Sequence, residues 1–422
     1  MINKRLLIFS NNALSESSSN GRTLKNLLGN DSAENLAQFY LQPSLPDFNC
    51  CKNYFFVSDS AVLKAFFKRK SAGKVMQEKD FNVASSKEKS SSVKKSIPRN
   101  PLTMIIRNFF WNRKAWRKKF QKWIEEFNPQ VILFQAGDAP FLYKMSLYYA
   151  KKYNLPMIIY NSEDYYFKDY NYFRDGGITA VFYPLFRRKL KKAVEQVLNY
   201  ATASVYITED LQKVYDEEFN KKSYYIYTAT DVECCPSECE NPIFSYLGNL
   251  GIDRHIGLVK IANALAEINP QYKLDVYGKV PNEKVKNAFN NCPALNYKGL
   301  VSYERVKAVM GESLLLFHTE STDPFYCKDV CHGFSTKIAD SLASGRCFVI
   351  FAPEMLSCTK YIKENECGVV ITEEHELKRK IQEVLENDRL RTKCIKNALE
   401  VVEKNHRADT NKAKMEKIIN DL

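Results

Sequence analysis

The chain reads as an α/β protein built from two doubly wound domains, and three observations predict it. Its 422 residues exceed one ordinary domain and suit two of about 150–200 residues each. Short apolar runs bounded by turn residues recur along its length, as expected of strands buried on both faces of a parallel sheet. Helical patterns separate those runs. Apolar residues make up 45% and charged residues 26%, which excludes a disordered chain. No run of 18 apolar residues occurs, so no spanning helix is expected. The start, MINKRLLIFSNN, has too short an apolar part for a signal peptide and no small-residue cleavage site, so a cytoplasmic location is expected.

The elements follow in order. Leu6–Phe9 is the first strand, and GRTLKNLL the first helix. LAQFYL and NYFFVSD are strands, as are VILFQAG (131–137), PMIIYNS (156–162) and ASVYIT (203–208). Residues 71–101 are rich in Ser and Lys, nearly free of aromatics, and read as a flexible excursion. Residues 112–127 read as one helix, with Trp116, Phe120, Trp123 and Phe127 on a single stripe. TATDVECCPSECENP (228–242) has no apolar period and carries two prolines, so it reads as a linker. A second series then runs FSYLGNL, a helix at 256–267, LDVYG, a helix at 282–290, NYKGL, a helix at 302–310, LLLFH, CFVIF and GVVI. The expected division is 1–230 (with a basic insertion at 68–111), a linker at 231–241, 242–395, and C-terminal helices at 396–422 returning to the first domain.

The formal net charge of +13 has an address. Residues 64–122 hold 18 basic and 3 acidic side chains, a net of +15, which leaves the rest of the chain at −2. Nucleic-acid binding wants basic residues interleaved with aromatics on a folded platform. Here the aromatics cluster at 109–127 with all three tryptophans, so no nucleic acid is expected. Phe109, Phe110 and Trp111 beside Arg107 and Arg113 lie off the helical stripe and suit an anionic membrane surface. Solubility alone is the plainer use of such charge.

The twelve cysteines and the lack of a secretion signal suit a reducing compartment. Cys327, Cys331 and His332, or Cys234, Cys235 and Cys239, match no common zinc spacing, and no metal is expected.

Two parallel-sheet domains in series imply a cleft facing the carboxyl ends of the strands. Gly248-Asn249-Leu250-Gly251 followed by Arg254 at a helix start suits a phosphate, because glycines let the backbone approach and Arg254 adds charge. Such turns are also common without ligands. Tyr277-Gly278 and Tyr297-Lys298-Gly299-Leu300-Val301 are either ordinary turns or a flat slot for a base. In His332-Gly333-Phe334-Ser335-Thr336-Lys337, Ser335 or Thr336 caps a helix whose first turn holds Lys337. A cation there opposes the helix dipole by up to about 1 kcal/mol, and a diphosphate would reverse the sign. Asp340, one turn on, either accepts from ribose hydroxyls or simply pairs with Lys337.

The stretch GFSTKIADSLASGRCFV (333–349) resembles the donor-site signature of GT-B glycosyltransferases, especially the family-4-like group 1 enzymes. The order of SYLGNL, Arg254, LDVYG, YKGLVS and LLLFH matches that family's second domain over residues 242–372. The first domain matches in strand order and in Ser19-Asn20-Gly21-Arg22-Thr23, which replaces the family's glycine-rich first loop. The resemblance implies two Rossmann-like domains and transfer of a sugar from a nucleotide-diphosphate sugar to a glycan or lipid-linked acceptor. It implies that Arg254 and Lys337, with Asn249, Val301, Ser335 and Thr336, bind the donor. Asp340 would take the place of the second glutamate of the family's E-x7-E motif, and His332 that of the first, as a catalytic candidate. Asn249 stands where many members have arginine. No D-x-D occurs, which argues for metal-independent chemistry with no cofactor beyond the donor.

On the acceptor side, Asp164 could orient or deprotonate a hydroxyl. Ser162, Glu163 and Asp164 suit a helix N-cap equally well. Asn20, Gly21, Arg22 and His318 are further acceptor or cleft candidates. The expected activity is a hexosyltransferase of bacterial surface polysaccharide synthesis, peripheral at the inner face of the plasma membrane. A non-catalytic glycan-binding or partner-stabilising subunit and a nucleotide-sugar epimerase are the alternatives.

Overall fold

The computed structural model describes residues 1–15, 18–68, 70–78, 99–174, 177–234, 236–237 and 242–422. Most of the basic excursion (79–98), together with Cys235 and Cys239, lies outside the described residues. The chain divides into two compact units, Met1–Ile226 with Asn411–Leu422, and Tyr227–Thr410. Those divisions differ from the 230/231 and 395/396 read in the sequence, and local bonding gives the reason. Thr230 N–H donates to the His406 carbonyl at 2.8 Å, and His406 Nδ1 meets the Thr228 carbonyl at 2.8 Å. The Tyr227 ring packs on Phe334, Tyr361 and His406. Residues 227–230 and 396–410 are thereby tied to the second unit.

In the first unit, among the described residues, the strands are β1 (Leu6–Phe9), β2 (Leu36–Tyr40), β3 (Asn53–Phe56), β4 (Lys74–Met76), β5 (Val131–Gln135), β6 (Met157–Asn161), β7 (Ala203–Tyr206) and β8 (Ser223–Tyr225). Their order is β4-β3-β2-β1-β5-β6-β7-β8. All pairings are parallel except that of β3 with β4. β4 falls inside the stretch read as irregular. It pairs antiparallel to β3 with Tyr54 opposite Met76, closing an edge that would otherwise expose unpaired backbone groups.

Alternation along β1 shows why its apolar run is continuous. Leu7 and Phe9 join one core, while Leu6 and Ile8 join the core on the opposite face. The first core is largely aromatic. Phe120 contacts Phe9, Phe39, Phe55, Trp116 and Trp123, with ring centroids 4.6–6.0 Å apart. The second core takes Met415, Ile418 and Ile419 from helix Ala408–Asn420, and the Met1 amino group meets Glu416 at 2.7 Å.

The stripe at 116–127 is present, but the helix is shorter than 112–127. It spans Lys118–Phe127, preceded by a 3-10 turn at Lys114–Arg117. A separate helix, Pro101–Trp111, begins with a capping box between Asn100 and Thr103. Trp116 Nε1 and Arg117 Nη2 donate to the Trp111 carbonyl at 3.1 and 3.0 Å, so that helix end is satisfied by side chains and the chain turns. Trp111 is itself buried, and only its neighbour Phe109 is exposed.

The second unit contains, among the described residues, β9 (Phe244–Leu247), β10 (Leu274–Tyr277), β11 (Leu295–Gly299), β12 (Leu315–Thr319), β13 (Cys347–Phe351) and β14 (Val369–Ile371). All pairs are parallel in the order β11-β10-β9-β12-β13-β14. The order reverses between β1 and β5 in the first unit and between β9 and β12 in the second. Ligands of such sheets bind beyond the carboxyl ends of the strands at that reversal.

Candidate active site

The loop after β9 is shaped by close backbone approach. Gly278, at φ +157°, lies so near the Gly248 carbonyl that a Cβ would meet it at 2.2 Å. Asn249 Oδ1 accepts from Gly251 N–H at 2.8 Å, and Tyr246 donates its hydroxyl to the Asn249 carbonyl at 2.8 Å. Ile252 and Asp253 then take left-handed φ of 52° and 57°. Helix Arg254–Ile268 follows without a side-chain cap. Its seat on β12 is tight, since a Cβ on Gly257 would meet Thr319 Oγ1 at 2.2 Å.

Arg254 is not a lone cation. Its Nε and Nη2 donate to the two oxygens of Glu320, each at 2.9 Å. His318 Nε2 lies 3.0 Å from Glu320 Oε1. His318 is thus a buried member of β12, not a loop residue, and it lies between Tyr246 and Phe348. Burial alone would raise the Glu320 pKa, but the His318 hydrogen bond and the Arg254 charge more than offset it, and the net direction is down. Glu320 escaped the sequence reading. Its signal is a charged residue directly after an apolar strand run at the sheet reversal.

The second group lies on helix Thr336–Ala343. Ser335 caps it, accepting from Lys337 N–H at 3.3 Å. Lys337 Nζ lies 3.6 Å from Asp340 Oδ2. Asp340 is buried, and its Oδ1 accepts from the Thr230 hydroxyl at 2.8 Å. The carboxylate therefore sits beneath Lys337 and links this helix to the start of the unit. Phe334 pins the preceding turn, stacking on His406 at 5.2 Å and 19°. His332 is half-buried just before that anchor. Val301 follows β11, and Tyr297 beside it donates its hydroxyl to the Gly278 carbonyl at 2.9 Å. Cys327 Sγ bonds the Ser321 carbonyl at 3.1 Å, and Cys331 Sγ lies 3.7 Å from the Met355 carbonyl.

Both helix starts lie at the same edge of the sheet. A helix joining two parallel strands runs antiparallel to them, so its N-terminus sits at their carboxyl ends. Helix 254–268 leaves β9 there, and helix 336–343 returns from there to β13. The structure thus places Arg254 and Lys337 at the carboxyl edge, each at an N-terminus that favours negative charge.

In the first unit, Asn20, Gly21 and Arg22 open helix Ser19–Leu28 after β1, beside the sheet reversal. Ser18 Oγ accepts from Gly21 N–H at 3.1 Å. A Cβ on Gly21 would meet the Ala13 carbonyl at 2.3 Å. Asp164 begins no helix. Its Oδ1 accepts from Tyr166 N–H at 2.8 Å, Phe167 N–H at 2.9 Å and the Tyr215 hydroxyl at 2.8 Å. That oxygen holds a turn and the helix Glu209–Phe219 together. Glu163 is exposed and lies 3.9 Å from Lys168.

The whole chain superposes on solved structures of low sequence identity. Anabaena HepE, in complex with UDP and glucose, matches with a TM-score of 0.64 at 11% identity, covering 100% of each chain. Sucrose-phosphate synthase from Thermosynechococcus elongatus matches at 0.65 and 13% over 99% of each. Residues 225–401 match the family model of glycosyl transferases group 1. The chain has the GT-B fold, and the group 1 glycosyltransferase match covers less than half of it. A third structure of the same fold, the lipopolysaccharide outer core galactosyltransferase WaaB, matches this chain at a TM-score of 0.57 and 13% identity over 99% of it and 100% of WaaB. No curated protein matches it by sequence. The family match spans the Arg254–Glu320 and Lys337–Asp340 groups.

Proposed function

We propose that this protein is a glycosyltransferase that moves a sugar from a nucleotide-diphosphate sugar held by the second unit to a glycan or lipid-linked acceptor met by the first. The observation that carries it is the pair of cation-bearing helix N-termini, Arg254 and Lys337, at the carboxyl edge of the second sheet. A diphosphate there meets amide N–H groups and side-chain cations together. As the sugar–phosphate bond breaks, negative charge grows on the diphosphate. Lys337 and the helix start stabilise it without a divalent ion. Glu320 and His318 hold the Arg254 fork in one orientation before the donor arrives. Ser335 and Thr336 line the turn that faces the phosphates, and Asn249 and Val301 flank the nucleoside. His332 stands beside this turn, facing the sugar or the leaving diphosphate. Asp340 sets the height of Lys337.

Support for the donor class comes from HepE, whose solved complexes hold UDP, glucose and UDP-glucose. WaaB, a lipopolysaccharide outer core galactosyltransferase, supports an acceptor in surface polysaccharide synthesis. The location we propose is peripheral, at the inner face of the membrane; among the described residues no helix is long and apolar enough to cross one.

The test is a thermal-shift and hydrolysis screen over UDP-, GDP- and ADP-sugars with wild type and Lys337→Ala. One nucleotide sugar should raise the melting temperature of wild type and be turned over, with both effects much reduced in Lys337→Ala. If no nucleotide sugar or nucleoside diphosphate binds wild type, the reading fails.

A further inference from the structure

Three elements of the first unit pack side by side: helix Asp59–Lys68, helix Pro101–Trp111, and the 3-10 turn Ile178–Phe182 leading into helix Tyr183–Tyr200. Their inner faces belong to the aromatic core through Val62, Met104, Trp111 and Phe186. Their outer faces are apolar as well. Phe67 is 72% exposed, Phe109 48%, Ile178 87% and Val181 72%. Leu63, Ile106 and Leu185 are exposed beside them. Phe66, Phe67, Phe109 and Phe110 touch ring to ring, with centroids 5.0–6.5 Å apart. Scattered exposed apolar side chains are ordinary, but this many on adjoining elements mark an interaction surface.

Charge selects the partner. Residues 59–68, 101–113 and 178–192 contain nine Lys and Arg and a single acid, Asp59. Asp59 is engaged inside the protein, with Arg107 Nε at 2.7 Å and Trp111 Nε1 at 2.6 Å. Lys64, Lys68, Arg113 and Arg188 are exposed among the apolar side chains. Arg113 lies over the Phe109 ring at 4.2 Å, so a cation and an aromatic are presented together. An apolar protein partner would leave these cations desolvated, and a nucleic acid would leave the phenylalanines and Ile178 without an apolar partner. An anionic bilayer meets both needs: acyl chains take the apolar side chains and lipid phosphates take the cations.

We infer that this face docks on an anionic membrane surface, with Phe67, Phe109, Ile178 and Val181 entering the headgroup–acyl boundary. This deepens the proposed peripheral location and rests on it. It assigns docking to a folded face that includes residues 178–192, outside the basic segment seen in the sequence.

The experiment uses the full chain and vesicles of phosphatidylcholine alone or with one-third phosphatidylglycerol. Wild type should sediment with the anionic vesicles at least tenfold more strongly than with the neutral ones. The combined variant Phe67→Ser, Phe109→Ser and Ile178→Ser should lose at least tenfold of that partition at an unchanged melting temperature. Phe67→Trp should be quenched by brominated acyl chains, a reading independent of how the triple variant folds, because the three native tryptophans are buried. Partition of the triple variant equal to wild type, or no quenching of Phe67→Trp, overturns the proposal. Nucleoside diphosphate binding and turnover of a soluble acceptor report on the transferase reading separately, and both should stay at wild-type level in the triple variant.

Discussion

At the scale of residues, the second unit carries two cation–carboxylate pairs of different character. Lys337 is partly exposed, and its partner Asp340 is also held by Thr230. Asp340 is buried, so removing the cation leaves a buried carboxylate with less counter-charge and should cost about 1–3 kcal/mol. In the proposed donor role Lys337 also contributes a charge-assisted bond of about 1.5–3 kcal/mol to the diphosphate. Lys337→Ala should lower kcat/KM for the proposed donor roughly 10- to 100-fold, with a melting temperature lower by a few degrees. Glu320 is held more deeply, since its partners Arg254 and His318 are shielded where Lys337 is partly exposed. It is buried and holds Arg254 and His318 at once, so Glu320→Gln leaves a buried guanidinium without its counter-charge and should cost about 3 kcal/mol in urea unfolding. The pH dependence follows from the sign. The folded pKa of Glu320 lies below its ordinary 4.5, so the carboxylate stabilises the protein above that value. That stability is lost as pH falls below 4.5 and through the folded pKa. Wild type should therefore lose melting temperature below pH 4.5 more steeply than Glu320→Gln, and parallel acid profiles would show that Glu320 is not the group involved.

At the scale of elements, most of the strands and helices were legible because each rests on a local period or a local cap. Helix Glu283–Asn290 has Asn282 accepting from Val285 N–H at 3.1 Å, a signal contained within four residues. β4 was not legible, since three residues of Lys-Val-Met carry no period and owe their strand form to the open edge of β3. The break at Asn112 was not legible either, because it depends on Trp116 and Arg117 folding back on Trp111. The same distinction governs the site. The Ser335 cap and Lys337 are neighbours in sequence, whereas Arg254 and Glu320 are 66 residues apart and meet only because β9 and β12 are adjacent. Glycine 257 carries that adjacency. A Cβ there would drive Thr319 off its hydrogen bond to the Phe351 carbonyl and push helix 254–268 outward. Gly257→Ala should destabilise the protein by about 1–3 kcal/mol and weaken donor binding. In a Thr319→Ala background the penalty should shrink by at least half. Equal penalties in both backgrounds would place the strain elsewhere.

At the scale of the whole molecule, the charge of +13 belongs mainly to residues other than 79–98. Residues 79–98 hold five basic and two acidic side chains, so their removal leaves the chain at +10. Removing 71–101 is a different operation. It deletes β4, the Asn100 cap of helix Pro101–Trp111 and the Arg99–Asp138 ion pair, all of which belong to the structure around the aromatic core. Replacing 79–98 by a short Gly-Ser bridge should leave the melting temperature within a few degrees of wild type, at a scale where about 1 kcal/mol moves a large protein by only 2–4 °C. Deleting 71–101 should lower it by much more. The same bridge variant separates two sources of membrane attraction. Screening weakens exposed charges together, so the salt needed to release the protein from anionic vesicles reports the charge at the contact. Lys64→Glu, Lys68→Glu and Arg113→Glu change the net charge by six on the docking face itself, and should lower that salt midpoint far more than the bridge variant, which changes it by three. A bridge variant that releases as easily as the triple charge reversal would move the membrane contact from the folded face to residues 79–98.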